Sequence, residues 1–223
     1  MAASAELLMS ALAPLALLLA AVRLVASPVF LWLEYHRPGF PADRFGFTLA
    51  DRMHYGSAGL DYVTNLAGPR YLSSLTHQGA PLFTEVEVDH MTDVKTVLWI
   101  ATAALVVLVV VCALLIASLL RTSPGGVRRA LFAGAVWLPL AVIALAVLAV
   151  LGWETFFAGF HSLFFADGTW TFSVQDALIR LYPSQFWIDA AIAVALVTLI
   201  GAFVVMLATT RRMRAARSVR STR

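Results

Sequence analysis

Four runs of apolar residues, over positions 7–33, 97–120, 130–151 and 187–209, alternate with shorter polar stretches along this chain. A bilayer core about 30 Å thick takes ~20 apolar residues in a helix, so each run predicts a membrane span. Together they predict an all-α membrane protein of four transmembrane helices. Pro28, near the end of the first run, predicts a kink or a stop there, and Arg23 within it can lie against a neighbouring helix. The polar stretch 34–96 is too long for a plain connection, and its recurring apolar positions predict a small helical subdomain. Within it "ADRMHYGSAGLDYVTNLAG" reads as two short helices, with Gly56, Gly59 and Gly68 as breaks and Leu60, Tyr62, Val63 and Leu66 as the packing set; it carries no strand signal. Thr84 followed three residues later by Glu87 has capping-box spacing, predicting a helix that starts there and runs unbroken into the second span. The stretch 152–186 is an aromatic loop suited to the headgroup zone. It contains a turn at "ADGTW" and a short amphipathic helix with Ser173 as N-cap, ended by Pro183.

Composition agrees: 61% of the 223 residues are hydrophobic, 13% are charged, and the mean hydropathy is +0.83, outside the range of soluble domains. The charges orient the bundle, because Lys and Arg collect in short cytoplasmic loops. Arg121, Arg128 and Arg129 fall in the 121–129 connection, and Arg211, Arg212, Arg214, Arg217, Arg220 and Arg223 in the 210–223 tail. The loop 34–96 holds five basic and eight acidic side chains, and 153–189 holds Arg180 against Glu154, Asp167, Asp176 and Asp189. These two loops read as extracytoplasmic and both termini as cytoplasmic. The pI of about 9.4 therefore reflects anchoring arginines and excludes a nucleic-acid partner. The first run exceeds the ~7–15 residues of a signal-peptide core and no small-x-small cleavage site follows, so it reads as retained. The lone Cys112, inside the second span, excludes an internal disulfide and a Cys-rich metal site, and reads as a buried apolar residue.

Titratable chemistry gathers at one edge of the membrane. In "VEVDHMTDVK" His90 shares a helix face with Glu87 and Asp93, which can fix its tautomer; read alone, these acids also suit a solvated helix start. His161 sits among five phenylalanines in "FFAGFHSLFF". Topology brings both histidines to the outer leaflet, where a pair beside an aromatic loop suits general acid/base chemistry on a lipid-like substrate. Lys95 and Arg180 are candidate anion contacts. Two other readings use the same residues: a metal-dependent membrane hydrolase with His90, His161 and Glu87 or Asp93 as ligands, lacking an HExxH pattern, and a non-catalytic protein binding lipid or a partner through the aromatic loop. There is no GxSxG motif, cysteine nucleophile or phosphate-cradling glycine loop. His36, His54 and His77 read as surface residues.

"HMTDVK" ahead of the second span, followed by "FHSLFFADGTWTF" and "LIRLYPSQFW", resembles the family of bacterial four-span integral membrane proteins that includes the lipoprotein intramolecular transacylase. The resemblance in order, spacing and topology covers roughly residues 10–210; the first span, the 53–79 region and the basic tail match only in character. It implies a multi-pass enzyme of the bacterial cell membrane, acting as a monomer with no cofactor. The implied reaction moves the sn-2 acyl chain of a diacylglyceryl lipoprotein to the α-amino group of the same N-terminal cysteine. The two outward-facing histidines of the family fall by motif on His90 and His161. Phe160, Phe164, Phe165 and Trp170 would then hold acyl chains, and the outer subdomain would receive the peptide.

Overall fold

The computed structural model describes the backbone of residues 2–221, with side chains through residue 210. The basic-tail arginines Arg211 to Arg223 therefore have side chains outside the described residues. In chain order the elements are α1 (Ala2–Val25), α2 (Pro28–His36), α3 (Leu49–Thr64), α4 (Arg70–Ser73), β1 (Thr76–His77), β2 (Ala80–Pro81), α5 (Glu85–Thr122), α6 (Gly126–Leu151), α7 (Trp153–Phe164), α8 (Ala177–Leu181) and α9 (Ser184–Ser221). Four of them, α1, α5, α6 and the Ser184–Thr210 part of α9, are long and apolar enough to cross a membrane. This is an all-α membrane protein. Its contacts divide it into two units.

The first unit comprises most of α1, all of α6 and the C-terminal parts of α5 and α9. Met9, Leu119 and Ala130 form one buried cluster, and Leu138, Val142 and Ala202 another. Pro14 has no N–H to give, so the carbonyl of Ser10 one turn back loses its helical donor. The Trp137 indole replaces it, donating from Nε1 to that carbonyl at 2.9 Å. Gly134 makes room for this: a Cβ there would sit 2.9 Å from the same oxygen. At one end of the unit Arg129 donates to Glu6 at 2.6 Å, and Ser123 donates to the same carboxylate at 2.7 Å. The start of α1 thus shares an end with the basic 121–129 connection.

The second unit holds the 23–102 and 152–193 segments. The apolar run 7–33 is not one helix here: α1 stops at Val25, Ser27 caps a new helix through the Phe30 N–H at 3.4 Å, and Pro28 takes its first position, where the missing N–H costs nothing. Nor is 49–64 two helices, because α3 runs through both Gly56 and Gly59. These glycines permit close approach: a Cβ on Gly56 would strike the Tyr35 hydroxyl, and one on Gly59 the Tyr182 hydroxyl. Tyr35 donates to the Leu181 carbonyl and Tyr182 to the Gly56 carbonyl, each at 2.7 Å, so the glycines seat two hydrogen-bonded tyrosines in the core. A two-stranded hairpin, absent from the sequence reading, follows α4; Gln78 and Gly79, at φ 52° and 82°, form its two-residue turn. Ser173 does not cap α8. It opens a turn that Asp176 closes by accepting from the Ser173 N–H at 2.7 Å, and Asp176 itself holds the N-cap position. Tyr62, Leu72, Leu31 and Leu181, all fully buried, centre the core of this unit.

Candidate active site

The first three turns of α5 stand clear of its apolar part, which begins at Val97. Glu87 starts them as predicted in its local role: the Thr84 N–H donates to its carboxylate at 2.8 Å and the Thr84 hydroxyl at 3.0 Å. The other carboxylate oxygen accepts from the backbone N–H of Leu178, at the start of α8, at 2.8 Å. With 1% exposure and three donors, this carboxylate is committed, and it makes no hydrogen bond to His90. Its effect is to clamp α8 against the helix that carries His90.

His90 is 8% exposed, and its Nδ1 is buried without a partner. Phe165 and Phe172 pack on the ring at centroid distances of 4.9 and 5.3 Å. His161, also 8% exposed, lies near-parallel to it, 6.4 Å away at 21°. Around His161 stand Phe157 at 4.0 Å, Trp170 at 4.9 Å, Phe165 at 5.5 Å and Phe160 at 5.6 Å. The predicted pair is thus one constellation, walled by rings from α7 and the segment after it.

The two imidazoles differ in how their ring nitrogens are held. His161 Nδ1 lies 2.8 Å from the Phe157 carbonyl one turn back on α7. A carbonyl only accepts, so the proton of neutral His161 sits on Nδ1 and Nε2 keeps a bare lone pair. Burial lowers the His161 pKa, opposed by that same carbonyl. Burial and the neighbouring His161 push His90 down to about 4, with Asp93 pulling weakly the other way. Both rings are therefore neutral near pH 7. Asp93 is exposed and acts on His90 only through its charge.

Of the other predicted residues, Phe165 and Trp170 line the pair, Phe160 touches its edge, and Phe164 packs on Phe160 at 5.1 Å without reaching either histidine. Phe160, Leu163 and Phe164, at helical spacing, form an exposed apolar stripe on α7. Lys95 points elsewhere, donating to the Ala67 carbonyl at 2.5 Å over the Tyr62 ring. Arg180 is bound through two nitrogens to Asp43 at 3.0 and 3.2 Å and lies over Phe47. Neither cation contacts the imidazoles. His36 and His54 are exposed and His77 bonds to Tyr55, all apart from the pair. Among the described residues no three His, Cys, Asp or Glu side chains gather as a metal site, so the ligand trio with Glu87 or Asp93 is not assembled.

Two contributors were not singled out from sequence. Phe157 acts through its carbonyl, and its signal is position alone, four residues before His161 on a helix. Phe172 reaches His90 as Trp170 reaches His161; in an extended segment residues two apart share a face, so the W-x-F alternation carried that information. A further atom stands out beside them: Trp170 Nε1 is buried and has no acceptor.

Comparison with known proteins places the chain in a family and a fold. Residues 7–187 match the family described as lipoprotein intramolecular transacylase Lit. An uncharacterized protein of Aquifex aeolicus (strain VF5) is 30% identical over 187 residues, covering 82% of this chain and 83% of that one. The in meso structure of the membrane integral lipoprotein intramolecular transacylase Lit from Bacillus cereus superposes with a TM-score of 0.74 at 20% identity over 98% of each chain. A histidine-to-alanine variant of that protein gives a TM-score of 0.72 at 18% identity, over 98% of this chain and 96% of that one.

Proposed function

Since this chain belongs to the lipoprotein intramolecular transacylase family, membrane acyltransferases that act on lipoproteins, we propose that it moves the sn-2 acyl chain of an S-diacylglyceryl N-terminal cysteine to that cysteine's α-amino group, using His161 and His90. The observation that carries this reading is the clamped tautomer of His161, which leaves Nε2 bare on a ring that lies beside a second neutral imidazole in a chamber of aromatic rings. The α-amino nitrogen attacks the sn-2 ester carbonyl, forming the C–N bond. The nitrogen of the tetrahedral adduct gives its proton to His161 Nε2. The ester C–O bond breaks, and that proton returns to the departing glyceryl oxygen. One amide and one free hydroxyl result, and no water or second substrate is consumed.

His90, neutral and uncommitted at Nδ1, serves as hydrogen-bond partner to the reacting groups. Trp170 supplies the donor for the developing oxyanion, since its buried indole N–H has no acceptor within the protein. Phe165 walls the reaction chamber, and the exposed Phe160 and Phe164 of α7 accompany the acyl chains toward the bilayer. Because ester and amine belong to one molecule, alignment can supply effective molarities of ~10⁵ M or more, which supports catalysis without a serine or cysteine nucleophile. The arginine-rich 121–129 connection supports a cytoplasmic placement for that end, with the start of α1 beside it through Glu6–Arg129, and an extracytoplasmic placement for the histidines.

The test replaces each histidine by glutamine in a bacterial host whose lipoprotein N-termini are read by mass spectrometry. The lyso form is expected to fall at least ~10²-fold for either variant. A normal level from either one would remove that histidine from the mechanism.

A further inference from the structure

Behind Glu87, on the side away from the apolar part of α5, lies a cavity of about 230 Å³ lined by Phe47, Ala80, Leu82, Thr84, Glu87 and Arg180 among others. Nothing in the acyl-transfer chemistry uses it. It differs in character from the histidine chamber: charged and hydrogen-bonding groups surround it, and acyl chains have no reason to enter. We infer that this cavity is the polypeptide subsite of the enzyme, receiving the residue that follows the acylated cysteine, an inference that rests on the acyl-transfer reading above.

The placement follows from the helix. Glu87 precedes His90 by three residues, so at 1.5 Å per residue the cavity wall stands ~4.5 Å farther from the apolar run than the imidazole. A lipoprotein's acyl chains run toward the bilayer, so its polypeptide leaves the reacting amine in the opposite direction. One extended residue covers ~3.3–3.6 Å, which brings the second residue of the substrate level with the cavity. The lining is also prepared for a peptide. Arg180 is bound by Asp43 through Nε and Nη2 and lies over the Phe47 ring, which leaves Nη1 as an uncommitted donor for a main-chain carbonyl. Ala80, in the short strand β2, is exposed and presents almost no side chain, so an incoming backbone can approach it closely. Glu87 and Asp176 are the carboxylates of the wall against the single Arg180 guanidinium, itself neutralised by Asp43. The pocket therefore favours a small neutral residue over an acidic one.

The experiment compares two substrates on the purified full chain in lipid: an S-diacylglyceryl-cysteine amide with no following residue, and the same group followed by four neutral residues. The perturbation is Ala80→Trp, which fills the cavity from an exposed hairpin position. The expected result is a KM raised about 10-fold for the longer substrate, with the amide turned over at the parent rate, which also shows that the variant is folded. Gln175→Trp, at another residue that lines the cavity, is expected to repeat the pattern. Equal effects on both substrates, or no effect on either, would overturn the subsite. If the parent converted neither substrate, the acyl-transfer reading itself would fall, and the subsite with it.

Discussion

Replacing Glu87 by glutamine separates two roles for one carboxylate. Its oxygens take three donors: the Thr84 N–H and hydroxyl on one side and the Leu178 N–H on the other. Glutamine keeps one acceptor and gains a donor. Whichever way its amide turns, an N–H of the side chain faces an N–H or O–H of the protein. At 1% exposure the side chain has almost no access to water that would relieve the mismatch. Leaving one buried donor unsatisfied costs ~1–3 kcal/mol, and the lost charge-assisted bond adds to it, so a loss of about 2–3 kcal/mol is expected. For a chain of this size that corresponds to ~5–10 °C in thermal midpoint. Thermal unfolding in detergent measures this, paired with mass spectrometry of the lyso product well below the midpoint. Activity there should fall less than ~5-fold, since the carboxylate does not touch His90 and acts by holding α8. A variant as stable as the parent but ~10²-fold slower would refute the reasoning and return Glu87 to the imidazole.

Trp170→Phe keeps the ring against His161 and deletes the indole N–H; kcat should fall about 10²-fold with KM little changed, and an unchanged kcat would discard Trp170 as the oxyanion donor. The His90 proton is bound less tightly folded, at about 4, than unfolded, near 6.5, so the unfolded state takes up protons first as pH falls. The thermal midpoint should therefore decline between pH 6.5 and about 4, and His90→Gln should flatten that decline; parallel profiles for parent and variant would contradict it. Trp137→Phe should cost ~1 kcal/mol or less in an unfolding titration, by orphaning the Ser10 carbonyl. In a Pro14→Ala background the restored backbone donor should make the same substitution nearly neutral; equal costs in both backgrounds would show that the indole bond does not matter.

The spans were legible because ~20 apolar residues in a row have few other uses, and Pro28 was legible because its missing donor acts locally. Gly56 and Gly59 were not. A glycine in a helix pattern serves equally as a break or as a seat for a neighbour, and what selects the second meaning here is Tyr35 and Tyr182, distant in sequence. The hairpin escaped because two-residue strands are too short to show an alternation. Glu87 shows both limits at once. Its capping spacing was read correctly, and its helical neighbourhood with His90 was real, but the Leu178 N–H, 91 residues downstream, claims the oxygen that the imidazole would have used. The histidine pair itself was legible through topology and the family motif, since locally His90 suits a solvated helix start and His161 a structural residue among phenylalanines.

That pairing has a consequence for the class of reaction the proposed site can run. With Nδ1 fixed on the Phe157 carbonyl, His161 cannot pass a proton through its ring; it must accept and return it at the same Nε2. The nucleophile that loses the proton and the oxygen that gains it must therefore both come to one atom. Two separate substrates would each have to be steered there, one after the other, in a chamber closed by Phe157, Phe165, Phe172 and Trp170. In the proposed reaction an ester and an amine tethered through one cysteine would arrive together, and the proton would move only from the tetrahedral adduct's nitrogen to its own leaving oxygen. By then that nitrogen is far more acidic than a free ammonium, so an imidazole weakened by burial is still base enough. A depressed pKa, which would handicap a base drawing protons from a free amine in solution, suits one that only ferries a proton across a single intermediate.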